Sequence, residues 1–317
     1  MARIRFSIVI TSHNQSNFIR AAVESAIAQN HPRKEIIVVD DGSSDGSVEI
    51  LEQYADSIQL VKFAKNRGAI EARNRGAAQA TGEYLVFLDG DDILMPWALD
   101  VYERTAAMRN PKTIFGGTSW FQGAIPRARE EDVPREIEMI EYGSYLIKDR
   151  PIGLSASSIV VNRQAFQDVG GWSQGIFHLD CQDLCAKLGT FGPMVLICSP
   201  PVTFYRIHSG NSIHNVAPFL RMARRLMEKE RSGAYPGGAE RRFERYASLG
   251  GLLVFWVKRA MRAGLYQEAW KLAASGWTMM FAAVARRSIT MMRKRRPIEV
   301  LELRASKRLP RVEAGAR

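Results

Sequence analysis

Four short apolar runs alternate with helical patterns over the first part of the chain. The runs cover residues 6–10, 35–40, 58–63 and 84–88, and they are rich in Val, Ile and Phe, which favour strands. Between the runs, apolar side chains recur at helical spacing. Such alternation predicts a mainly parallel sheet covered by helices, with right-handed crossovers between neighbouring strands.

Polar and acidic residues follow these runs where each predicted strand ends. Thr11 follows the first strand, Asp40-Asp41 end the second, and residues 89–92 read Asp-Gly-Asp-Asp after the fourth. In parallel sheets, ligands bind beyond the carboxyl ends of the strands. Carboxylates this close repel one another, and a bound divalent cation keeps them ionised. The alternative is an Asp-rich turn in which Asp92 caps the following helix.

Two common nucleotide-binding loops are missing from the sequence. The loop after the second strand lacks the G-x-G-x-x-G glycines, and G-x-x-x-x-G-K-[ST] occurs nowhere. A Rossmann dehydrogenase and a P-loop NTPase therefore fit poorly. A nucleotidyltransferase would favour a Gly-rich loop with Lys or Arg after strand one, which residues 11–17 do not provide. A site that holds a nucleotide by side chains and its phosphates through a metal remains.

Four segments resemble, in order, the motifs of the family 2 inverting glycosyltransferases of the GT-A fold. They are residues 7–14 (SIVITSHN), 36–46 (IIVVDDGSSDG), 66–74 (NRGAIEARN) and 87–92 (FLDGDD). The resemblance covers about residues 5–210 and is specific through residue 100. It implies a GT-A domain, Rossmann-like, and a nucleoside-diphosphate sugar donor, in the first place a UDP-sugar.

The resemblance also implies roles for individual residues. The side chains expected to hold the base and ribose are those of Thr11, Asp40, Asp41, Arg73 and Asp89. The side chains expected at Mg²⁺ or Mn²⁺ are Asp91, Asp89 and, from the phrase Tyr-Arg-Ile-His at 205–208, His208. A diphosphate leaving group needs a cation to take up its developing charge. A structural role is the alternative for His208.

The general base should come from the segment His-Leu-Asp-Cys-Gln-Asp-Leu at residues 178–184. The family usually has Glu-Asp, two residues, then Leu, which aligns Cys181 with the Asp and Asp180 with the Glu. Because Asp180 and Asp183 are three residues apart, they share one face of a helix, and either could take the acceptor's proton. Their alternative roles are an N-cap and a solvated first-turn acid. We expect Asp180 ahead of Asp183.

Charge divides the chain into two parts. Residues 1–216 hold 21 Lys and Arg against 25 Asp and Glu, whereas residues 217–317 hold 23 against 8, a net charge of +15. We expect a GT-A domain over 1–216, a basic helical extension over 217–303 and a disordered tail over 304–317. The basic extension suggests an anionic membrane surface, or a helical hairpin packed on the catalytic domain. Nucleic acid is disfavoured because no reading motif accompanies the charge.

Other features concern location and the acceptor. Residues 122–141 show no sustained period and predict a surface or acceptor loop. Three sparse cysteines suggest a reducing compartment, and no signal peptide or spanning segment is visible. We expect a cytoplasmic enzyme, peripheral at the inner membrane face, that transfers sugar to a carbohydrate or lipid-linked acceptor. The expected process is synthesis of cell-surface or extracellular polysaccharide or glycolipid. The alternative is a scaffold or nucleotide-sugar-binding protein that kept the fold and lost activity, which the Cys181 departure would suit.

Overall fold

The computed structural model describes residues 3–126, 134–150, 152–211, 215–292 and 295–302. One sheet runs through it, with strands in the order β10-β7-β9-β6-β8-β4-β1-β2-β3, and β5 pairs with β9. The strands are β1 Phe6–Ser12, β2 Lys34–Asp40, β3 Gln59–Lys62, β4 Tyr84–Asp89, β5 Ile93–Leu94, β6 Thr113–Phe121, β7 Glu136–Tyr142, β8 Ile159–Asn162, β9 Met194–Arg206 and β10 Glu299–Glu302. The helices are α1 Ile19–Ile27, α2 Ser47–Glu52, α3 Ala69–Gln79, α4 Ala98–Arg109, α5 Arg163–Asp168, α6 Asp180–Lys187, α7 Val216–Arg231, α8 Arg242–Arg262 and α9 Tyr266–Met292.

The half of the sheet formed by β3, β2, β1 and β4 is parallel. All seven residues of β1 are buried, because helices cover both faces of the sheet. Continuous apolar runs of this kind are typical of strands buried on both sides. The strand–helix alternation predicted from the sequence is therefore confirmed, and the strand ends meet at one edge.

The other half of the sheet is mixed. β8 lies antiparallel between β4 and β6, whereas β6 and β9 run parallel to each other. β7 pairs antiparallel with β9, and β10 pairs antiparallel with β7. The segment expected to be a loop at 122–141 thus contains a strand, and the extension expected to be helical ends in one. Residues 127–133 of that loop and the expected tail at 304–317 lie outside the described residues.

Three helices after the sheet form a second layer with its own apolar core. α8 and α9 pack side by side along most of their length, and α7 packs on both. At the closest approach of the pair, a methyl group added to Gly250 would lie 1.8 Å from the carbonyl oxygen of Met279. Only glycine permits this spacing, so the two helices are locked in one register.

The helical layer is joined to the sheet layer through Asp183 of α6. This carboxylate is fully buried and accepts hydrogen bonds from Lys229 Nζ at 2.5 Å and from the Tyr235 hydroxyl at 2.7 Å. Lys229 also donates to the Ser173 hydroxyl at 3.0 Å. A buried carboxylate held by a cation and a phenol fastens α7 to α6.

We predict that Asp183→Asn lowers the free energy of unfolding by roughly 1–3 kcal/mol, because Lys229 loses a charge-assisted hydrogen bond in a buried setting. Urea or thermal denaturation of the full chain measures the loss. Glu268→Gln is the matched control, since it breaks a half-exposed pair with Arg224 and should cost less than about 1 kcal/mol. Equal losses in the two variants would contradict the anchoring role.

Candidate functional site

A cavity of about 900 Å³ opens at the carboxyl ends of the parallel strands. Its walls come from the loops after β1, β2, β3 and β4, from β6 and β9, and from the start of α6. The predicted site residues among its lining are Thr11, Asp41, Arg73, Asp89, Asp91 and Asp180. The structure therefore brings together side chains that lie up to 169 positions apart in the sequence.

The loop after β4 is held tightly against β1. A methyl group added to Gly90 would lie 2.8 Å from the carbonyl oxygen of Thr11 and closer still to Gln15 Oε1. The Gly90 amide donates to that same Thr11 carbonyl at 2.9 Å. The glycine between the two carboxylates is therefore required by close backbone approach, and it places Asp89 and Asp91 at the cavity.

Asp92 points away from the cavity into the protein. It is almost fully buried and accepts hydrogen bonds from the Ser157 hydroxyl at 2.6 Å and the Arg206 amide at 3.1 Å. Burial, followed by the charges of Asp91 and Asp89, raises the pKa of Asp92 well above its usual range. Asp92 is not a helix cap, because α4 begins only at Ala98. Its role is to tie the acidic loop to β9 and to the turn before β8.

Asp91 makes a direct contact with His208. The distance between Asp91 Oδ2 and His208 Nε2 is 2.9 Å, and the Phe18 ring packs against the imidazole at 4.7 Å between centroids. Burial and the charge of Asp89 raise the pKa of Asp91, and the hydrogen bond with His208 lowers it. The two residues expected at the metal are therefore neighbours, although they lie 117 positions apart.

Arg73 links two of the carboxylates. Its guanidinium is buried and donates to Asp89 at 2.7 Å and to Asp180 at 2.5 Å, while the Trp172 ring lies 5.2 Å from its central carbon. Burial lowers the pKa of Arg73, but the charges of the two carboxylates raise it more. The resulting pKa lies above the usual value. Asp89 is thus ion-paired with Arg73, whereas Asp91 contacts the His208 imidazole.

Asp180 begins α6 and lies deep in the wall of the cavity. Burial raises the pKa of Asp180; the charge of Asp89 adds to the increase and Arg73 opposes it. The neighbouring Cys181 also lines the cavity, and burial raises the pKa of its thiol well above the usual range, which keeps it protonated. Of the two carboxylates expected to serve as base, only Asp180 reaches the site.

Three predicted residues are not among those that line the cavity, and one of them, His208, meets it only through its contact with Asp91. Asp183 points into the α6–α7 contact because Lys229 and Tyr235 hold it there. Asp40 is turned into its own loop, where it accepts hydrogen bonds from the amide and hydroxyl of Ser43. Asp41 does reach the cavity, and it accepts hydrogen bonds from the amides of Arg67 and Gly68 at 2.6 and 2.8 Å.

The sequence interpretation missed residues on the β6–β9 side of the cavity. The Trp120 ring is 61% exposed and packs on Tyr205 with 4.8 Å between centroids. His178 lines the cavity with a φ of 72°, a conformation that is uncommon outside glycine and collects at functional sites. An exposed Trp cannot be assigned to a site from sequence, because its partner Tyr205 lies far along the chain.

Within the described residues, no group of three or more His, Cys, Asp or Glu side chains could by itself hold a metal ion. The Asp91–His208 pair offers one oxygen and one nitrogen ligand. Mg²⁺ is commonly held by one or two protein ligands together with substrate phosphates and waters. The pair therefore fits a cation that is shared with a bound diphosphate.

Residues 7–143 match the sequence profile described as glycosyl transferase family 2. Over this part of its length, the chain is similar to that family. The matched range contains the strand ends that carry Thr11, Asp41, Asp89 and Asp91, and it ends before Asp180 and His208. The family match thus covers the strand-end side of the cavity by sequence, while the remaining wall is known from the structure.

Known proteins extend the comparison. Over 101 residues the chain is 40% identical to a putative teichuronic acid biosynthesis glycosyltransferase of Bacillus subtilis, which is 31% of this chain and 39% of that protein. The chain spans 30–39% of the length of three such curated relatives, this one included. Among solved structures, Staphylococcus aureus TarS residues 1–349 with UDP-GlcNAc has a TM-score of 0.56 at 13% identity, covering 90% of this chain and 89% of that one.

A second solved structure is the mannosyltransferase PcManGT from Pyrobaculum calidifontis with GDP-Man and Mn²⁺. Its TM-score is 0.56 at 18% identity, and the match covers 92% of this chain and 84% of that one. At such low identity these likenesses concern the fold. The chain has the GT-A fold, with C-terminal helices added to it, as expected from its sequence.

We predict that Arg73→Gln destabilises the protein in a pH-dependent way. Without the guanidinium, the pKa of buried Asp180 rises further above its unfolded value, and a carboxyl shifted in this direction costs stability as pH rises. The loss should be small near pH 5 and reach roughly 3–5 kcal/mol near neutral pH. Thermal melts at several pH values measure it. Arg5→Gln, which breaks a half-exposed pair with Glu35, is the control and should show a small loss.

Proposed function

We propose that the protein is a metal-dependent inverting glycosyltransferase. It transfers a sugar from a nucleoside-diphosphate sugar, in the first place a UDP-sugar, to an acceptor hydroxyl during synthesis of cell-surface polysaccharide or glycolipid. The observation that carries this proposal is that Asp89, Asp91, Arg73 and Asp180 line one cavity at the strand ends. The chemistry falls to residues 1–216, and residues 217–303 form the appended layer.

Two solved structures with a similar fold support the choice of donor class. TarS was solved with UDP-GlcNAc and PcManGT with GDP-Man and Mn²⁺. The Bacillus subtilis relative is a putative teichuronic acid biosynthesis glycosyltransferase, which supports a polysaccharide product. These ligands and this biosynthetic role are those of the named proteins, and we propose a donor and a product of the same kinds for this chain.

The nucleoside is assigned to the β1–β3 side of the cavity. Thr11 and Asp41 lie there, and the Asp41 carboxylate fixes the backbone at the start of α3 by accepting from two of its amides. Arg73 forms ion pairs with Asp89, on this side of the cavity, and with Asp180, at the start of α6. Asp40 contributes indirectly, because it shapes the loop that precedes Ser43.

The cation would be held by Asp91 and His208, with Asp89 as the remaining candidate ligand. When bound, Mg²⁺ or Mn²⁺ supplies positive charge to the leaving diphosphate. Burial beside Asp89 makes an ionised Asp91 costly without a compensating charge, which suits a residue that binds a cation together with the donor. His208 keeps the carboxylate directed at the cavity.

Asp180 is the proposed general base. The acceptor oxygen attacks the anomeric carbon, the bond from that carbon to the diphosphate oxygen breaks, and the acceptor proton passes to the Asp180 carboxylate. A buried carboxylate with a raised pKa is a better proton acceptor than an exposed one, and Arg73 fixes its position. Inversion follows from a single displacement, and Cys181 takes no part because no covalent intermediate is needed.

The acceptor is assigned to the wall formed by Trp120 and Tyr205. These rings lie on the β6–β9 side, opposite the nucleoside wall. Exposed aromatic faces provide apolar area with little conformational freedom to lose on binding, and a carbohydrate acceptor offers apolar C–H faces for them to pack against. The alternative of an inactive scaffold protein rested on Cys181, which stands where the family usually has the catalytic Asp. Asp180 supplies a carboxylate to the cavity instead.

Nucleotide binding tests the metal and donor assignments. We expect UDP or GDP to bind more tightly with Mn²⁺ than without it, and Asp91→Asn to abolish the Mn²⁺-dependent increase while leaving the metal-free affinity near that of the wild type. Isothermal titration calorimetry measures both. Asp149→Asn, remote from the cavity lining, is a charge-matched control. Equal affinity with and without Mn²⁺ would contradict the role of Asp91.

Turnover tests the base. We expect Asp180→Asn to lower kcat by about 10²–10⁴-fold with nucleotide binding retained, and Asp183→Asn to keep most activity at temperatures where it remains folded. Donor consumption with a panel of acceptor sugars is the assay. Activity of the wild type should fall as pH drops through the raised pKa of Asp180, because the base becomes protonated. An active Asp180→Asn variant would sink this assignment, and nucleotide binding without turnover in the wild type would favour the scaffold.

A further inference from the structure

One face of α9 carries large apolar side chains that no part of the described structure covers. Trp270, Trp277 and Phe281 are 72, 66 and 68% exposed. With Tyr266 and Val284 they recur at intervals of four, seven, four and three residues, which places all five on one side of a helix. We call these five residues the aromatic face of α9. Met291 and Met292 continue it at the end of the helix, both highly exposed.

The opposite face of α9 is fixed in the protein interior. Its buried residues are Ala269, Leu272, Gly276, Met279 and Ala282. A methyl group added to Gly276 would lie 2.5 Å from the Leu253 side chain, and Gly250 meets the Met279 backbone on the same side. This packing prevents α9 from rotating about its axis, so the aromatic face cannot turn inward. Its exposure is imposed by the fold.

Positive charge accompanies the aromatic face. Residues 217–317 carry a net charge of +15, and Lys271 and Arg287 are exposed on the flanks of the aromatic face. Arg262 before the helix and Arg295 after it are also exposed. Cations beside an apolar helix face attract anionic lipid headgroups, and Trp is favoured at the boundary between headgroups and acyl chains.

The positive charge also indicates whether a second copy of the chain or a membrane covers the aromatic face. A second copy of the chain would bring two faces of the same sign together, which opposes association. No helix within the described ranges is both long enough and apolar enough to cross a bilayer. A helix lying in the membrane surface buries one apolar side and keeps its cations at the headgroups, which matches the distribution on α9.

We propose that the aromatic face of α9 docks the protein on an anionic phospholipid membrane, with α9 parallel to the surface. Trp270, Trp277 and Phe281 enter the boundary region, and Lys271, Arg287 and Arg295 contact the headgroups. This proposal combines the two interpretations of the basic extension, an anionic membrane surface and a helical hairpin packed on the catalytic domain. The inner side of the hairpin packs on the protein, while its outer side meets the lipid.

The test is flotation of the full chain with vesicles of phosphatidylcholine mixed with phosphatidylglycerol, and with vesicles of phosphatidylcholine alone. We expect binding to the mixed vesicles that weakens with salt, and little binding to the neutral ones. The double variant Trp277→Ser/Phe281→Ser should bind the mixed vesicles at least about tenfold more weakly with an unchanged melting temperature. The control is Met108→Ser, which removes an apolar side chain on α4 that is 50% exposed and outside the cavity lining, and it should bind like the wild type.

Two results would overturn the proposal. One is absence of wild-type binding to the mixed vesicles, and the other is a double variant that binds them as tightly as the wild type. Light scattering of both proteins identifies the rival occupant: a wild-type dimer that becomes monomeric in the double variant, without vesicle binding, assigns the face to a second copy. Nucleotide binding and turnover are independent of these outcomes, so failure here leaves the proposed glycosyl transfer standing.

Discussion

The arrangement of the cavity depends on one buried cation. Arg73 projects from α3 and bridges Asp89, at the end of β4, to Asp180, at the start of α6. The parallel half of the sheet meets α6 at this guanidinium. Without this guanidinium, the partly exposed Asp89 and the buried Asp180 would repel each other. A single side chain thus joins the end of β4 to the wall that carries the proposed base, and its positive charge lies between the two carboxylates.

A second polar hub lies behind the first. Asp92, Ser157 and Arg206 connect the acidic loop to the turn before β8 and to the end of β9, out of reach of the cavity. Because Ser157 also accepts from the Asp89 amide, the loop is held from behind as Arg73 holds it from the front. The acidic loop therefore has little freedom, and Asp89 and Asp91 have separate partners although only Gly90 lies between them. Preorganisation of this kind lowers the entropy that donor binding must overcome.

The donor half of the fold could be predicted from the sequence because its signals are local. Each strand from β1 to β4 is a continuous apolar run, and Thr11, Asp41, Asp89 and Asp91 follow from strand ends meeting at one edge. The mixed half of the sheet depends on distant pairings. β7 and β10 have ordinary local patterns and become strands only by pairing across the sheet. Asp180 and Asp183 share a helix face by spacing, but Lys229, 46 positions later, decides which of them leaves the cavity. The sequence could not show that partner.

The return of the chain to the sheet through β10 changes how the helical layer can behave. α7 is fastened to α6 by Asp183, and after α9 the chain pairs with β7, so the layer is held at both ends. Arg286 adds a contact from α9 to the Lys148 carbonyl in the sheet layer. An appendage attached at one end would swing, whereas this one moves with the cavity as a single body. If the outer side of α9 rests on a bilayer, the mouth of the cavity then stands at a constant height and tilt above the lipid. An acceptor anchored in that bilayer is accordingly selected by the length of its stem as well as by the chemistry of its hydroxyl.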